Sequence, residues 1–342
     1  MKVKDPFGVA NDSEMPSLAL ALEPARAKEE LKRGLPRLAA AEGICRLKGI
    51  RVTRYKPGRR CVIEYKILVE KPNAPPEEVV LIGKVRARRF GNEGYRLLDE
   101  FWRAGFEAEA RDGISVPEPI GVLPEFRIWF QRKITGEVSS HCFLTIGGIE
   151  LAKRIAKAAV KIHRAKIPTD KRHAMADELR ILRDCLKIVT EERPEWTNRI
   201  EKVFQGCERL GQSLPQPKLC RIHRDFYSDQ VIVTPDSRLF ILDFDLYCMG
   251  DPALDIGNFI GHLTEQSLRT QGRFDAFAEA EKALEETFVG LSGEGTRAAV
   301  HVYTTLTLAR HIFLSTKFEE RRSLTEALLQ QCEERLAQSG KF

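Results

Sequence analysis

A histidine, an amide and several carboxylates stand in tight order in the second half of this 342-residue chain. They read His223-Arg224-Asp225, then Gln230, then Asp243 behind the apolar run Leu239-Phe240-Ile241-Leu242, then Gly250-Asp251-Pro252 and Asp255. Each piece alone has an ordinary explanation. His-Arg-Asp can be a turn around a satisfied histidine, and Gly-Asp-Pro is a common turn ahead of a helix. Asp243 is harder to dismiss, because a carboxylate ending a buried strand is costly to desolvate unless a cation or hydrogen-bond donors meet it. The order suits transfer of a phosphoryl group from a metal nucleotide. In that chemistry one carboxylate orients the attacking hydroxyl, while an amide and a second carboxylate hold magnesium against the phosphates.

At these residues the chain resembles the aminoglycoside phosphotransferase and choline kinase family, small-molecule kinases with a protein-kinase-like fold. The family pattern is His-x-Asp-x4-Asn, an apolar strand ending in Asp, then Gly-Asp-Pro-x-x-Asp. Three short motifs agree with it in type, order and spacing. The resemblance implies an α+β, two-lobed protein-kinase-like fold with a small antiparallel-sheet N-lobe and a mostly helical C-lobe. It implies ATP (or GTP) as phosphoryl donor, Mg2+ as cofactor and a small hydroxylated acceptor. Asp225 is then the catalytic residue, Gln230 and Asp243 hold the metal, and His223 and Asp255 support the catalytic loop.

One departure bears on the metal. The family has Asn where this chain has Gln230. The amide oxygen is kept, but Gln is one methylene longer and Mg2+ demands near-ideal octahedral geometry. Either the loop shifts, a water intervenes, or one metal site is weaker. Asp229 offers a further carboxylate but is expected to face solvent.

Protein kinases share the first two motifs. They also carry a long activation segment between the metal-binding Asp and an Ala-Pro-Glu. Here Gly250 follows Asp243 closely and no Ala-Pro-Glu comes after it. Little chain is left for a peptide platform, so a small acceptor is favoured over a protein side chain.

The remaining elements must position these groups. Residues 1 to about 25 show no clear periodicity and are expected to be loosely held. Ala25 to Ala41 reads as a helix, interrupted at Gly34-Leu35-Pro36. Three strands follow, at Gly49–Tyr55, Cys61–Val69 and Glu78–Arg86, separated by a turn at Lys56–Arg59 and a proline-rich loop from Lys71. Asn92–Ala104 reads as a helix stopped by Gly105. Short strands are expected over Val116–Val122 and Phe126–Gln131.

By resemblance Lys84 is the nucleotide-binding lysine, paired by Glu100 in preference to Glu93. Arg59 and Arg60 lie in the hairpin over the phosphates, in place of a glycine-rich loop. Gln131, Arg132, Lys133 and Ile134 form the hinge where adenine meets the backbone. The expected boundaries are an N-terminal extension with a helix over 1–47, a nucleotide-binding N-lobe over 48–131 and a helical C-lobe over 132–342. In that last part a helix runs from Thr145, with Ile149, Ala152, Ile155, Ala159 and Ile162 at helical spacing and His163 as a packed helix-end residue. Further helices are expected over Asp177–Thr190, Trp196–Leu210, 273–289, 295–315 and 323–337, and from Asp255 onward.

Composition narrows the class. Hydrophobic residues make up 43% and charged residues 30%, the balance of a soluble globular protein. The net charge of +6 is spread along the chain, so no nucleic acid partner is expected. The eight cysteines form no Cys-x-x-Cys and no zinc spacing, which fits reduced thiols. Lys2 and Lys4 precede no apolar run, and no segment approaches the ~20 apolar residues of a membrane span. A cytoplasmic location and no membrane contact are therefore expected. Cationic acceptors want an acidic pocket, to which Asp275, Glu279, Glu281, Glu285 and Glu286 are candidates, though a charged helix face is usually solvated. The alternative function is a catalytically silent kinase fold that binds nucleotide as a regulatory module. Gln230 and the missing glycine-rich loop favour it; Lys84, Asp225 and Asp243 argue against it. Oligomeric state leaves no mark in the sequence.

Overall fold

The computed structural model describes residues 1–35, 38, 44–70, 74–87, 92–144 and 147–339. The proline break at Pro36, the start of the loop at Lys71 and the helix start at Thr145 lie outside the described residues. The chain divides into two compact units, Met1–Thr135 and Gly136–Phe342.

The first unit is built on a six-stranded sheet. Its strands are β1 (Lys2–Lys4), β2 (Ile44–Lys56), β3 (Arg60–Glu70), β4 (Glu77–Arg86), β6 (Pro119–Leu123) and β7 (Ile128–Arg132), in the order β1-β2-β3-β4-β7-β6; the short β5 (Ile114–Ser115) precedes β6. All pairs are antiparallel except β1 with β2. Period-2 alternation sets the faces. Cys61, Ile63, Tyr65, Ile67 and Val69 of β3 and Val79, Leu81 and Val85 of β4 point into one core. Lys84 therefore lies on the opposite face.

That core is closed by the N-terminal segment, which is not loosely held. It forms β1, a 3-10 turn at Val9–Asn11, α1 (Ser17–Leu22) and α2 (Pro24–Gly34). Val9, Met15, Leu18, Leu22, Ala27 and Leu31 are buried with the sheet residues, each larger side chain contributing about 1.5–3 kcal/mol on burial. Tyr65 is fully buried and its hydroxyl donates to the Ala21 carbonyl at 2.9 Å. The irregular sequence hid this because its apolar residues follow turns rather than one period. On the other side of the sheet's edge, α3 (Glu93–Phe101) runs into a π-type turn at Trp102–Phe106, where Gly105 takes φ 91° and ends the helix.

The second unit is mostly helical. It contains β8 (Glu137–Val138), α4 (Gly148–Arg164), α5 (Met175–Glu192), α6 (Thr197–Ser213), β9 (Cys220–Ile222), β10 (Val231–Val233), β11 (Leu239–Ile241), β12 (Cys248–Gly250), α7 (Ala253–Gln271), α8 (Ala278–Ser292), α9 (Arg297–Lys317) and α10 (Thr325–Ser339). The strands are short. β10 pairs with β11 and β8, and β12 pairs with β9. All eight cysteines are free thiols, and no described helix is long and apolar enough to cross a membrane.

The helix α7 is buried on nearly every side and crosses α9 at close range. A Cβ on Gly257 would lie 2.4 Å from Tyr303 Cβ and 2.8 Å from the Thr304 nitrogen. Gly257→Ala is thus expected to cost about 2–3 kcal/mol by overpacking. Gly290, exposed in α8 with nothing within 4 Å, should instead gain up to about 1 kcal/mol as Ala. Urea unfolding of the two variants checks the contrast. Equal effects would refute the close crossing.

Candidate active site

The loop between β9 and β10 carries His223, Asp225 and Gln230, and Asp243 follows β11. Leu242 joins the two. Its carbonyl accepts from His223 Nε2 at 2.8 Å, and its N–H donates to the Gln230 carbonyl at 2.8 Å. Asp243 is therefore placed by the same backbone that anchors the loop. Two non-glycine residues here are left-handed, Arg224 with φ 71° and Asp243 with φ 57°. Each such residue costs about 1–2 kcal/mol and persists only where its surroundings hold it.

At Arg224, Asp255 supplies that hold. Its side chain is fully buried. Oδ2 accepts from the His223 N–H at 2.9 Å and Oδ1 from the Arg224 N–H at 2.7 Å. His163 Nε2 lies 2.8 Å from Oδ2, so His163 is packed at the end of α4 and turned toward the loop's support.

Asp255 is the first rung of a polar stripe on α7. Asn258 Nδ2 donates to the Phe226 carbonyl at 2.9 Å. His262 stacks on Tyr227 with ring centroids 4.5 Å apart. Gln266 receives the Ser228 hydroxyl at 3.3 Å and donates to the Ser140 carbonyl at 2.9 Å. Positions 255, 258, 262 and 266 share one helical face, and they meet loop residues 223 to 228 in order. The sequence reading did not single out the last three. Asn258 and His262 do carry a signal, as polar residues at helical spacing in the otherwise apolar first half of α7.

The charge around Asp225 is mixed. Burial is the largest influence and pushes its carboxyl above the usual range. Asp243 adds to this, while His223, Arg310 and Arg224 oppose it. Arg310 was not foreseen. It bonds Asn258 Oδ1 at 2.7 Å and lies 3.6 Å from Glu178. Burial alone would raise the Glu178 carboxyl, but its bond to His173, at 2.5 Å, and the charge of Arg310 bring it lower. His262 and His311 are hydrogen-bonded at 3.2 Å, and both are held neutral by burial beside Arg310, with His311 pushed down to about 3.

Gln230 Nε2 lies 3.4 Å from the Tyr227 hydroxyl, which turns the amide oxygen the other way. Asp229 is exposed and receives Ser140 Oγ at 3.3 Å. Asp243 Oδ1 is buried with no hydrogen-bond partner among the described residues. Among the described residues no group of three or more His, Cys, Asp or Glu side chains is disposed to hold a metal ion. An amide oxygen and an orphaned carboxylate oxygen nevertheless suit Mg2+, which commonly takes one or two protein ligands and completes its shell from phosphates and water.

In the first unit, Lys84 stands opposite Trp129 in the β4–β7 ladder and its Nζ lies 4.9 Å from the Trp129 ring centre. Glu100 is half-buried on α3 and Glu93 is exposed at its start. Arg59 and Arg60 close the β2–β3 hairpin, with the Arg59 N–H bonded to the Lys56 carbonyl at 3.0 Å. Gln131 is buried in β7, and Ile134 is half-buried beyond it. Arg132 pairs with Glu118 at 2.7 Å, and Lys133 with Glu64 at 2.7 Å. These two side chains serve the sheet, and the Arg132 and Lys133 N–H groups donate to the Glu118 and Val80 carbonyls at 2.9 and 2.8 Å.

The acids considered for a cationic acceptor are mostly committed elsewhere. Asp275 pairs with Arg273 at 2.9 Å, Glu285 with Arg297 at 2.8 Å and His301 at 2.9 Å, and Glu286 with Lys282 at 3.8 Å. Glu281 lines the same groove as Glu285 and Glu286. It accepts from Thr264 at 2.9 Å, yet burial pushes its carboxyl up from 4.5 to about 7. A raised folded-state value means stability declines as pH rises from the unfolded value through 7. Glu281→Gln should therefore raise Tm by roughly a few degrees at pH 8 and by little at pH 4.5. Thermal melts at both pH values check this, and an equal shift would refute it.

A sheet-based N-terminal unit and a helical second unit, with a His-x-Asp loop tied to a strand-end Asp, make the α+β fold of small-molecule kinases. The chain belongs to the phosphotransferase enzyme family, whose model matches residues 101–288. No curated protein matches the sequence. Among solved structures, a choline/ethanolamine kinase family protein from Mesorhizobium loti is similar with a TM-score of 0.57 at 17% identity, covering 91% of this chain and 94% of that one. Choline kinase from Cryptosporidium parvum gives 0.56 at 14%, covering 92% and 96%. Spectinomycin phosphotransferase, solved in complex with ADP and spectinomycin, gives 0.57 at 11%, covering 91% and 94%. At these identities the likeness establishes the fold alone.

Proposed function

We propose that this protein is a kinase of small molecules, transferring the γ-phosphoryl group of a Mg-nucleotide, ATP or GTP, to a hydroxyl of a small acceptor. The observation that carries the reading is Asp225, half-buried with a raised carboxyl pKa and held within the field of Asp243, whose Oδ1 has no hydrogen-bond partner among the described residues. A carboxylate of raised pKa is a better proton acceptor, and Asp225 takes or orients the acceptor's hydroxyl proton. Gln230 and Asp243 hold Mg2+, which would neutralise phosphate charge when bound. Lys84, steadied by Glu100, and the hairpin arginines Arg59 and Arg60 bind phosphate oxygens. Backbone between Gln131 and Ile134 reads the base. Asp255 and His223 keep the loop in register. Catalysis then comes from positioning and electrostatics, with no covalent enzyme intermediate.

The acceptor is a hydroxylated small molecule. Because Glu285 and Glu286 of α8 are tied into ion pairs, these two give no support to a polycationic one. The test is release of nucleoside diphosphate from Mg-ATP or Mg-GTP across a panel of sugars, amino alcohols and aminoglycosides. Acceptor-dependent release supports the reading. The second reading, a silent regulatory module, draws on the hairpin's Pro57-Gly58 tip in place of a glycine-rich loop. A nucleotide-dependent melting shift with no transfer would favour it.

A further inference from the structure

The hairpin between β2 and β3 is fastened to the N-terminal segment. Asp12 Oδ1 accepts from the Glu14 N–H at 2.8 Å and the Met15 N–H at 3.2 Å, which fix the carboxylate on its own turn. Oδ2 accepts from the Tyr55 hydroxyl at 2.7 Å and from the Gly58 N–H at 3.1 Å, which hold the hairpin. Gly58 has φ 58°, as the third position of a type II turn requires after Pro57. A Cβ there would lie 2.1 Å from Glu14 Oε2, so the tip packs directly on the segment. The segment is anchored in turn by β1 against β2 and by Leu18 and Leu22 in the core.

Titration agrees with this geometry. Burial works to raise the Asp12 carboxyl, but the four donors together hold it below its usual value. The Tyr55 hydroxyl is pushed up to about 12, chiefly by its bond to Asp12. The tip is crowded with cations. Arg60 is the largest cause lowering the Lys56 ammonium, after which come burial, Arg54 and Arg59.

We propose that Asp12 is a positioning residue that latches the N-terminal segment onto the Tyr55–Arg60 hairpin and holds its cations in one arrangement for nucleotide phosphates. This rests on reading the hairpin as the phosphate-binding element. Charge alone argues the other way, since removing an anion beside cations should strengthen phosphate binding. At exposed positions that attraction is screened beyond about 8–10 Å. A released hairpin must be ordered again each time nucleotide binds, and that ordering cost dominates.

The test uses the full chain with Asp12→Ala and Asp12→Asn, measuring amide hydrogen exchange at Gly58 and Arg59 and the Kd of a non-hydrolysable Mg-ATP analogue. Asp12→Ala is expected to speed exchange by roughly tenfold and weaken the analogue by roughly fivefold. Asp12→Asn keeps one acceptor oxygen but turns an NH2 toward the other pair of donors, so it should recover about half of both effects. Unchanged exchange overturns the latch. Faster exchange with unchanged or tighter analogue binding overturns the positioning role. Wild type that binds no analogue at all sinks the kinase reading itself and takes the positioning role with it, while the exchange data would still report on the latch.

Discussion

Asp225→Ala is expected to lower kcat by about 1000-fold, within the usual contribution of a positioned general base. Nucleotide affinity should change by no more than about twofold, because the proposed role sets Asp225 against the acceptor and not the phosphates. The pH profile carries an independent mark. Burial raises the Asp225 carboxyl above its ordinary range, and Asp243 reinforces the shift. The active form is the ionised one, so kcat/KM should climb as pH rises through that raised pKa and then level off. Asp225→Asn should remove the acid limb along with most of the rate. Steady-state kinetics over pH 4–9 with an identified acceptor settles both points. Near-wild-type turnover in either variant would exclude Asp225 as the base.

Asp255→Ala should produce the largest loss of stability of any change near the site, about 3–5 kcal/mol. The carboxylate is fully buried and serves the His223 and Arg224 amides together with His163. Truncation strands all three donors around a fully buried position. It also frees Arg224 from the left-handed conformation that the hydrogen bond at 2.7 Å maintains. Asp255→Asn keeps one acceptor oxygen and should lose about half as much. Urea unfolding followed by circular dichroism measures the stability term. Turnover should fall in step, because the loop carrying Asp225 loses its register. A loss under about 1 kcal/mol would show that the loop is held by other contacts.

Much of this could be read directly from the chain. The long strands of the first unit were legible because β3 and β4 are rich in β-branched and other apolar residues between turn signals. Helices α4 to α10 were legible from apolar spacing and lengths. The candidate residues were legible because His223, Asp225, Gln230, Asp243 and Asp255 fall within one short stretch whose order is chemically meaningful. The N-terminal segment was not. Its apolar residues are set by turns and by the shape of the sheet they cover, which no local period encodes.

Residue types and local order, then, determined by themselves which groups are candidates for phosphoryl transfer and which elements carry them. Only the tertiary structure decided what holds them. Asp12 reaches Tyr55 and Gly58, and Arg310 reaches Asn258 and Glu178, across long stretches of chain. Such contacts arise from packing, and a side chain's type states what it can bond without stating which distant partner the fold will bring to it. The raised pKa of Asp225 belongs to the same category, because burial and neighbouring charge exist only once the chain has closed around the loop.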